Sequence, residues 1–346
     1  MIFGTQKNPK GPSFGKSRTI NKNISGHSLK FSAPPSKDPF SNIESWEDEP
    51  DDIDLLDKNS YKPTEISDSD INKHLLWSRI YSNIWEFRGL PIIDGYCGSL
   101  TMLINLHEVD DLPVNESLLK DEILTKEAIR ILQISNARDF NTGISYDPFD
   151  LTEHQWPSHI GPLNLQWVTL NNNEWLYFEN QPLVENKNQY LWHIAIDEKH
   201  YLRCIFSIKR SAMNAGNPFR IENHVSKDNF LDFMYKIMET MEVNLSAESA
   251  SRKPTAQSHQ AGNKRPHYKL TPDQIEEAKH VMYMWSAKGF TENGKDENSD
   301  HRASPEDVSA FIENYLQPRL LPGGHPPSNS LNLDYNECKQ KTSTTA

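Results

Sequence analysis

Cys97 lies in a short sequence that could support nucleophilic catalysis, because Gly95-Tyr96-Cys97-Gly98-Ser99 places a thiol between two glycines. The glycines would let a substrate approach the backbone, and the thiol would need a base such as His193 and an acid from residues 139–153. The same glycines are typical of a tight turn before a strand. No catalytic family signature surrounds Cys97, so a turn or core cysteine is favoured, and Cys97 and His193 stay weak candidates.

An acidic loop near the end of the chain resembles a calcium loop in spacing. Asp296, Asn298 and Asp300 occupy alternate positions, and Asp307 is the twelfth residue when Asp296 is counted as the first. The sixth position is His301, where calcium loops have glycine, and Asp307 is shorter than the usual bidentate glutamate. A solvated acidic loop is therefore favoured over a metal site, and no cofactor is predicted.

Aromatic residues on predicted strands are the candidates for a binding surface; they are Trp167, Trp175, Tyr177 and Trp192. Aromatic residues on a sheet are usually core, because each buries a large apolar area. On a face that no helix covers, they would line a groove for an apolar ligand or a peptide. Trp46 is a further candidate, since the acidic-aromatic segment 38–57 is typical of short partner-docking segments as well as of tails.

The composition is too polar for one globular domain of this length. The chain has 346 residues, 36% of them apolar, and a mean hydropathy of −0.71. The deficit is uneven, which predicts a disordered arm over residues 1–70 (basic over 1–37, acidic over 38–70), a polar linker over 245–270 and a disordered tail over 321–346. Such segments bury too little apolar surface to offset the entropy of ordering them.

Residues 71–244 are predicted to form an α+β domain. Alternating apolar residues predict a strand over 99–109 and two hairpins, 163–170 with 174–179 and 190–197 with 200–210. Residues 75–87 fit a strand or a short helix, because their apolar positions give no clean alternation.

Apolar residues at helical spacing predict helices over 118–132 and 230–241, and the stripe of the second should pack on the sheet. Residues 271–320 should form a two-helix segment, since Thr271-Pro272-Asp273-Gln274 and Ser304-Pro305 are helix-capping patterns.

The fold class is therefore α+β: a mainly antiparallel sheet flanked by two helices as a layered sandwich, with the two-helix segment and long disordered tails. The element order is loosely similar to PsbP/Mog1-like sandwiches, which include binding and chaperone proteins; the similarity is in order alone, without a shared motif.

Charge and cysteine usage limit the partners and the compartment. The net charge of −12, with no dominant basic region, argues against nucleic-acid binding. No run of about 18 apolar residues is present, so no membrane span is predicted. The three cysteines are far apart and no apolar signal-peptide core precedes residue 38. These features predict a cytoplasmic protein, with export by a non-classical route left open.

The leading functional hypothesis is a non-enzymatic binding or adaptor protein, chaperone-like functions included. It would use an aromatic-rich α+β domain and flexible arms that dock a protein partner. One alternative is a hydrolase or transferase with a site around Cys97. Another is a secreted effector whose disordered N-terminal segment serves as an export signal.

Overall fold

The computed structural model describes residues 4–36, 50–63, 75–109, 111–140, 157–184, 187–212, 218–258, 268–285 and 303–317. The strands in these ranges are β1 Arg18–Ile24, β2 His27–Ala33, β3 Asp52–Ile53, β4 Lys62–Pro63, β5 Leu75–Arg88, β6 Tyr96–Val109, β7 His159–Leu170, β8 Asn173–Pro182, β9 Lys187–Ala195, β10 His200–Arg210 and β11 Glu242–Asn244. The helices are α1 Asp121–Phe140, α2 Pro218–His224, α3 Asp228–Met238, α4 Ala247–Ser258, α5 Pro272–Trp285 and α6 Pro305–Leu316. No helix in the described part of the chain is long and apolar enough to cross a membrane.

Two sheets organise these elements. The large sheet has seven strands in the order β4-β5-β6-β10-β9-β8-β7, and every neighbouring pair is antiparallel. The small sheet has the order β11-β2-β1-β3, with a parallel pair only at β1 and β3. The predicted α+β class with a mainly antiparallel sheet is confirmed.

The main core lies between one face of the large sheet, here the α3 face, and a layer made of α3 and the small sheet. Alternate residues of β6 and β10 supply the sheet side: Leu100, Met102, Ile104, Leu202, Cys204, Phe206 and Ile208. The apolar stripe of α3 packs on them through Phe230, Phe233, Met234, Ile237 and Met238. Because this spacing keeps apolar side chains on one side of a helix, the sequence pattern placed this stripe correctly.

The opposite face, the α1 face, buries polar side chains together with apolar ones. His107 and His193 lie beside Tyr201, with ring centroids 4.9 and 6.1 Å from the Tyr201 ring. Burial, with Arg203 nearby, holds the pKa of both imidazoles well below 6.5. Both rings are therefore neutral near neutral pH.

Strand β5 explains why residues 75–87 showed no clean alternation. A register shift occurs between Arg79 and Tyr81, so that Ile80 is an extra residue in the pairing with β6. Ile80, Trp85 and Phe87 are all buried in the α3-face core, although Ile80 has an even residue number and the other two have odd ones. A β-bulge of this kind breaks the period-two pattern on which strand prediction depends.

The prediction of a disordered arm over residues 1–70 is wrong for residues 50–63, which include β3, β4 and the buried Ile53 and Tyr61, and also for residues 18–33. Residues 18–33 form the β1–β2 hairpin around Ser25 and Gly26, which have φ values of +46° and +86°. Ile24, Leu29 and Phe31 are buried in the α3-face core. The core therefore does not begin at residue 71, and residues 18–33 do not form a disordered export signal.

The structure also differs from the prediction of a plain linker over 245–270, because α4 occupies residues 247–258. The two later helices begin as the capping patterns predict. Gln274 N–H donates to Thr271 Oγ1 at 3.2 Å, and Asp307 N–H donates to Ser304 Oγ at 3.0 Å. Both helices pack against β7 through a third apolar cluster, to which β7 contributes Ile160 and Leu163.

Candidate functional site

Cys97 and His193 do not form a nucleophile–base pair. Cys97 is fully buried in the α3-face core, and burial raises the pKa of its thiol despite a hydrogen bond from the Gly89 backbone. His193 belongs to the opposite face and is in register with Arg203, which pairs with Asn105. Cys97 is eight residues along β6 from Asn105, a separation of about 26 Å. Most of the acids of residues 139–153 lie outside the described residues.

The predicted aromatic binding residues are core residues in the structure. Trp167, Trp175, Tyr177 and Trp192 are each at most 4% exposed. Tyr177 and Trp192 pack on each other with ring centroids 4.6 Å apart. These side chains leave no exposed surface for a partner. Trp46 lies outside the described residues.

The candidate calcium ligands are divided by the limits of the described chain. Asp296, Asn298 and Asp300 lie outside it, whereas Asp307 lies in the first turn of α6. Among the residues that the structure describes, no group of three or more His, Cys, Asp or Glu side chains could hold a metal ion.

A polar cluster, largely buried except at Lys58, lies where β6 ends; we call Lys58, Tyr61, Glu108, Asp197 and His200 the His200 cluster. His200 Nδ1 lies 2.8 Å from Asp197 Oδ2, and His200 Nε2 lies 3.9 Å from Glu108 Oε1. The Lys58 ammonium pairs with Glu108. Tyr61 packs near the imidazole, with ring centroids 6.4 Å apart. The cluster thus ties the segment before β4 to the end of the large sheet.

The His200 cluster is closed to large molecules. Tyr61, Glu108 and His200 are 6%, 4% and 8% exposed, respectively. Burial raises the pKa of the Tyr61 phenol, and nearby carboxylates add to the rise. Tyr61 OH, Glu108 Oε2 and His200 Nε2 have no hydrogen-bond partner in the described structure. The burial of these groups suits a structural tie more than a site that admits a substrate.

The opposite end of β6 carries an exposed apolar turn; we call residues 89–96 the Ile92 turn. Six large apolar side chains are exposed in the described residues, and Ile92, Ile93 and Tyr96 are three of them. Ile92 is fully exposed, and Ile93 is 79% exposed. The other three, Leu56, Val114 and Met284, are far apart in sequence. Clustered exposed apolar side chains indicate an interaction site, whereas single ones are normal.

Hydrogen bonds fix the shape of the Ile92 turn. Asp94 Oδ2 accepts from the backbone N–H of Leu90 at 3.0 Å and of Gln6 at 2.9 Å. The Asp94 backbone N–H donates to the Leu90 carbonyl at 3.0 Å. A Cβ on Gly89 would lie 2.3 Å from the Asp94 Cβ, so only glycine allows this close approach. The conformation of the turn is therefore already fixed in the free protein.

The backbone of Ile92 is strained. Its φ of +73° lies in the left-handed region, which is unfavourable for a β-branched side chain. Such conformations cost about 1–3 kcal/mol and persist where the surroundings enforce them, often at functional sites. Here the Asp94 hydrogen bonds enforce a conformation that presents Ile92 to solvent.

The turn was not identified as a site from the sequence. The available signal was the apolar run Leu90-Pro91-Ile92-Ile93 between Gly89 and Gly95. Turn residues are usually polar, so an apolar run bounded by glycines indicates exposed aliphatic side chains.

Comparisons with known proteins define no family for this chain. No protein-family model and no curated protein matches it. A crystal structure of a protein from Bacteroides thetaiotaomicron aligns with 61% of this chain and 66% of that chain, at 9% identity and a TM-score of 0.16. A likeness at that level supports no conclusion about fold or function.

Proposed function

We propose that the protein is a non-enzymatic binding protein that docks a protein partner through the Ile92 turn. The observation that carries this proposal is the adjacent pair Ile92 and Ile93, exposed on a turn whose strained backbone is held by Asp94. A turn fixed before binding loses little conformational entropy when the complex forms, which favours affinity.

The partner should present an apolar pocket for two aliphatic side chains. Burying one isoleucine contributes about 1.5–3 kcal/mol relative to leaving it exposed. A membrane is the less favoured target, because a chain of net charge −12 is repelled by an anionic lipid surface. The same charge disfavours nucleic acid.

The cytoplasm is the proposed compartment. Cys97 and Cys204 are free and buried, as is usual in proteins from a reducing environment.

A site-specific cross-linking experiment tests the proposal with the full chain, because removing residues 1–70 would also remove the core residues Leu29 and Phe31. A photo-reactive amino acid replaces Ile93 in one variant and Leu56, which is 81% exposed elsewhere, in a control. A protein that cross-links at position 93 but not at 56 is then purified. We expect Ile93→Ala to weaken its binding by about 10-fold or more, and Leu56→Ala to leave it unchanged.

Equal cross-linking at both positions, or equal affinity for Ile93→Ala and the unchanged chain, would overturn the proposal. If position 93 cross-links to no protein and the chain instead co-sediments with lipid vesicles, the turn binds membranes rather than a protein.

A further inference from the structure

A cleft of about 710 Å³ lies between the β7–β8 turn, β11 and α4, far along the chain from the Ile92 turn. The turn contributes Asn171 and Asn172, β11 contributes Glu242 and Asn244, and α4 contributes the opposite wall. This volume is within the range of about 300–1,000 Å³ that is typical of small-ligand sites.

Hydrogen bonds hold the walls of the cleft in place. Asn171 Nδ2 donates to the carbonyls of Glu239 at 2.6 Å and Met241 at 3.1 Å. The Asn173 side chain both donates to and accepts from the Val243 backbone, at 2.8 Å each way. The Val243 backbone N–H and C=O that face away from β2 are therefore already hydrogen-bonded. A ligand in the cleft cannot pair with Val243 as an additional strand, so other groups would recognise it.

Three side chains around the cleft carry donors without a partner among the residues that the structure describes. Lys253, Gln257 and Asn172 make no side-chain hydrogen bond or ion pair with the described residues. Lys253 and Gln257 are half-buried and lie four residues apart on α4, so they share one helix face. Lys253 has no carboxylate partner among the described residues. These donors suit an anionic ligand.

The helix wall also offers an acceptor. Pro254 lies inside α4 and has no N–H, so the Ala250 carbonyl cannot receive the usual helical hydrogen bond from residue 254. Ala250 and Pro254 both line the cleft. A ligand N–H can use this carbonyl.

The remaining lining is aliphatic and includes Ile194, Val243 and Leu245. Ile194 and Val243 are almost fully buried and form the floor of the cleft. Such a floor favours a branched aliphatic side chain over a sugar, which usually needs an aromatic platform.

We propose that this cleft binds an N-acylated α-amino acid, either free or as the C-terminal residue of a peptide. Lys253 pairs with the carboxylate, and Gln257 and Asn172 donate hydrogen bonds to it. The Ala250 carbonyl accepts from the amide N–H, and the aliphatic side chain rests on Ile194 and Leu245. Glu242 lies 3.8 Å from Lys30, which reduces its repulsion of the carboxylate.

Titration calorimetry of the full chain tests the proposal with N-acetyl-leucine, N-acetyl-leucinamide and 4-methylpentanoate. We expect N-acetyl-leucine to bind, and the other two to bind more weakly because one lacks the carboxylate and the other lacks the N–H. Lys253→Met should weaken binding by about 10- to 100-fold, since it removes a charge-assisted hydrogen bond. Lys126→Met, on the exposed surface of α1, is the matched control and should change nothing.

A tetrapeptide ending in leucine distinguishes the two sources of this chemistry. Tighter binding of the peptide than of N-acetyl-leucine would identify a peptide terminus, and equal or weaker binding would identify a free small acid. No heat with N-acetyl-leucine or the peptide, equal affinity for the acid and the amide, or an unchanged affinity of Lys253→Met with its melting temperature preserved, would each overturn the proposal.

Discussion

Strand β6 connects two contrasting regions: one exposes apolar side chains, and the other buries polar ones. At Tyr96 it begins in the Ile92 turn, where isoleucine side chains face solvent on a strained backbone. At Glu108 it ends in the His200 cluster, where two carboxylates, an imidazole and a phenol are packed together. Exposed aliphatic side chains contribute little to the free energy of folding. Removing one member of a buried ion pair destabilises the protein, because the other charge is left buried without a partner. The first region is therefore suited to binding and the second to holding the fold together.

The largest expected effect is at the polar end. Glu108→Ala should lower the free energy of unfolding by about 2–3 kcal/mol, because it removes the partner of Lys58 and leaves His200 facing an empty, buried space. Urea unfolding measures this loss. Glu108→Gln keeps an acceptor in place and should lose less. A loss below about 1 kcal/mol for Glu108→Ala would contradict the structural role of the cluster.

Two buried histidines on the α1 face, near this end of β6, should make stability depend on pH. His107 and His193 have pKa values well below 6.5 in the folded state, so only the unfolded state takes up protons as the pH falls below 6.5. Stability is then complete above that pH and falls below it, by up to about 1.4 kcal/mol per pH unit for each histidine.

Unfolding free energies between pH 7 and pH 5 measure this slope, and His107→Leu should reduce it. An equal slope in the variant and the unchanged chain would show that His107 does not titrate as its burial implies. Ile93→Ala, at the other end of β6, should leave the slope unchanged.

The smallest effect, and one of opposite sign, is expected at the apolar end. Ile92→Asn should raise the free energy of unfolding by about 0.5–1 kcal/mol, because asparagine tolerates the left-handed region better than a β-branched residue does. It should also weaken partner binding, since the aliphatic side chain is lost. Ile92→Ala serves as the control, because alanine, unlike asparagine, is also unfavourable in the left-handed region. A destabilised Ile92→Asn variant would contradict the strain inferred here.

Elements with an uninterrupted pattern could be predicted from the sequence. In β9 and β10, alternate residues such as Trp192 and Cys204 face the same core, so the period of two survives along both strands. The apolar stripe of α3 is equally regular. The bulge at Ile80 interrupts this regularity in β5, and no local signal reveals on which residue a strand shifts its register.

The β1–β2 hairpin was missed for a different reason. Leu29 and Phe31 alternate with serine and lysine in a segment whose overall composition is that of a tail. Their burial depends on α3, more than 190 residues later in the chain, so the segment's own composition underestimates the apolar surface it can bury. The Ile92 turn and the His200 cluster escaped prediction likewise: exposure at Ile92 and contact between Glu108 and His200 are tertiary properties.

The pairing of β11 with β2 sets an order for folding during synthesis. β2 is made early, yet its outer neighbour is β11, and the Ser246 N–H that follows β11 donates to His27 across 219 residues. At about 5–20 residues per second, the ribosome needs about 10–40 s to make that stretch. During this interval one edge of the hairpin has no strand beside it, so the small sheet is completed only after the large sheet, and its nascent edge is open to mispairing.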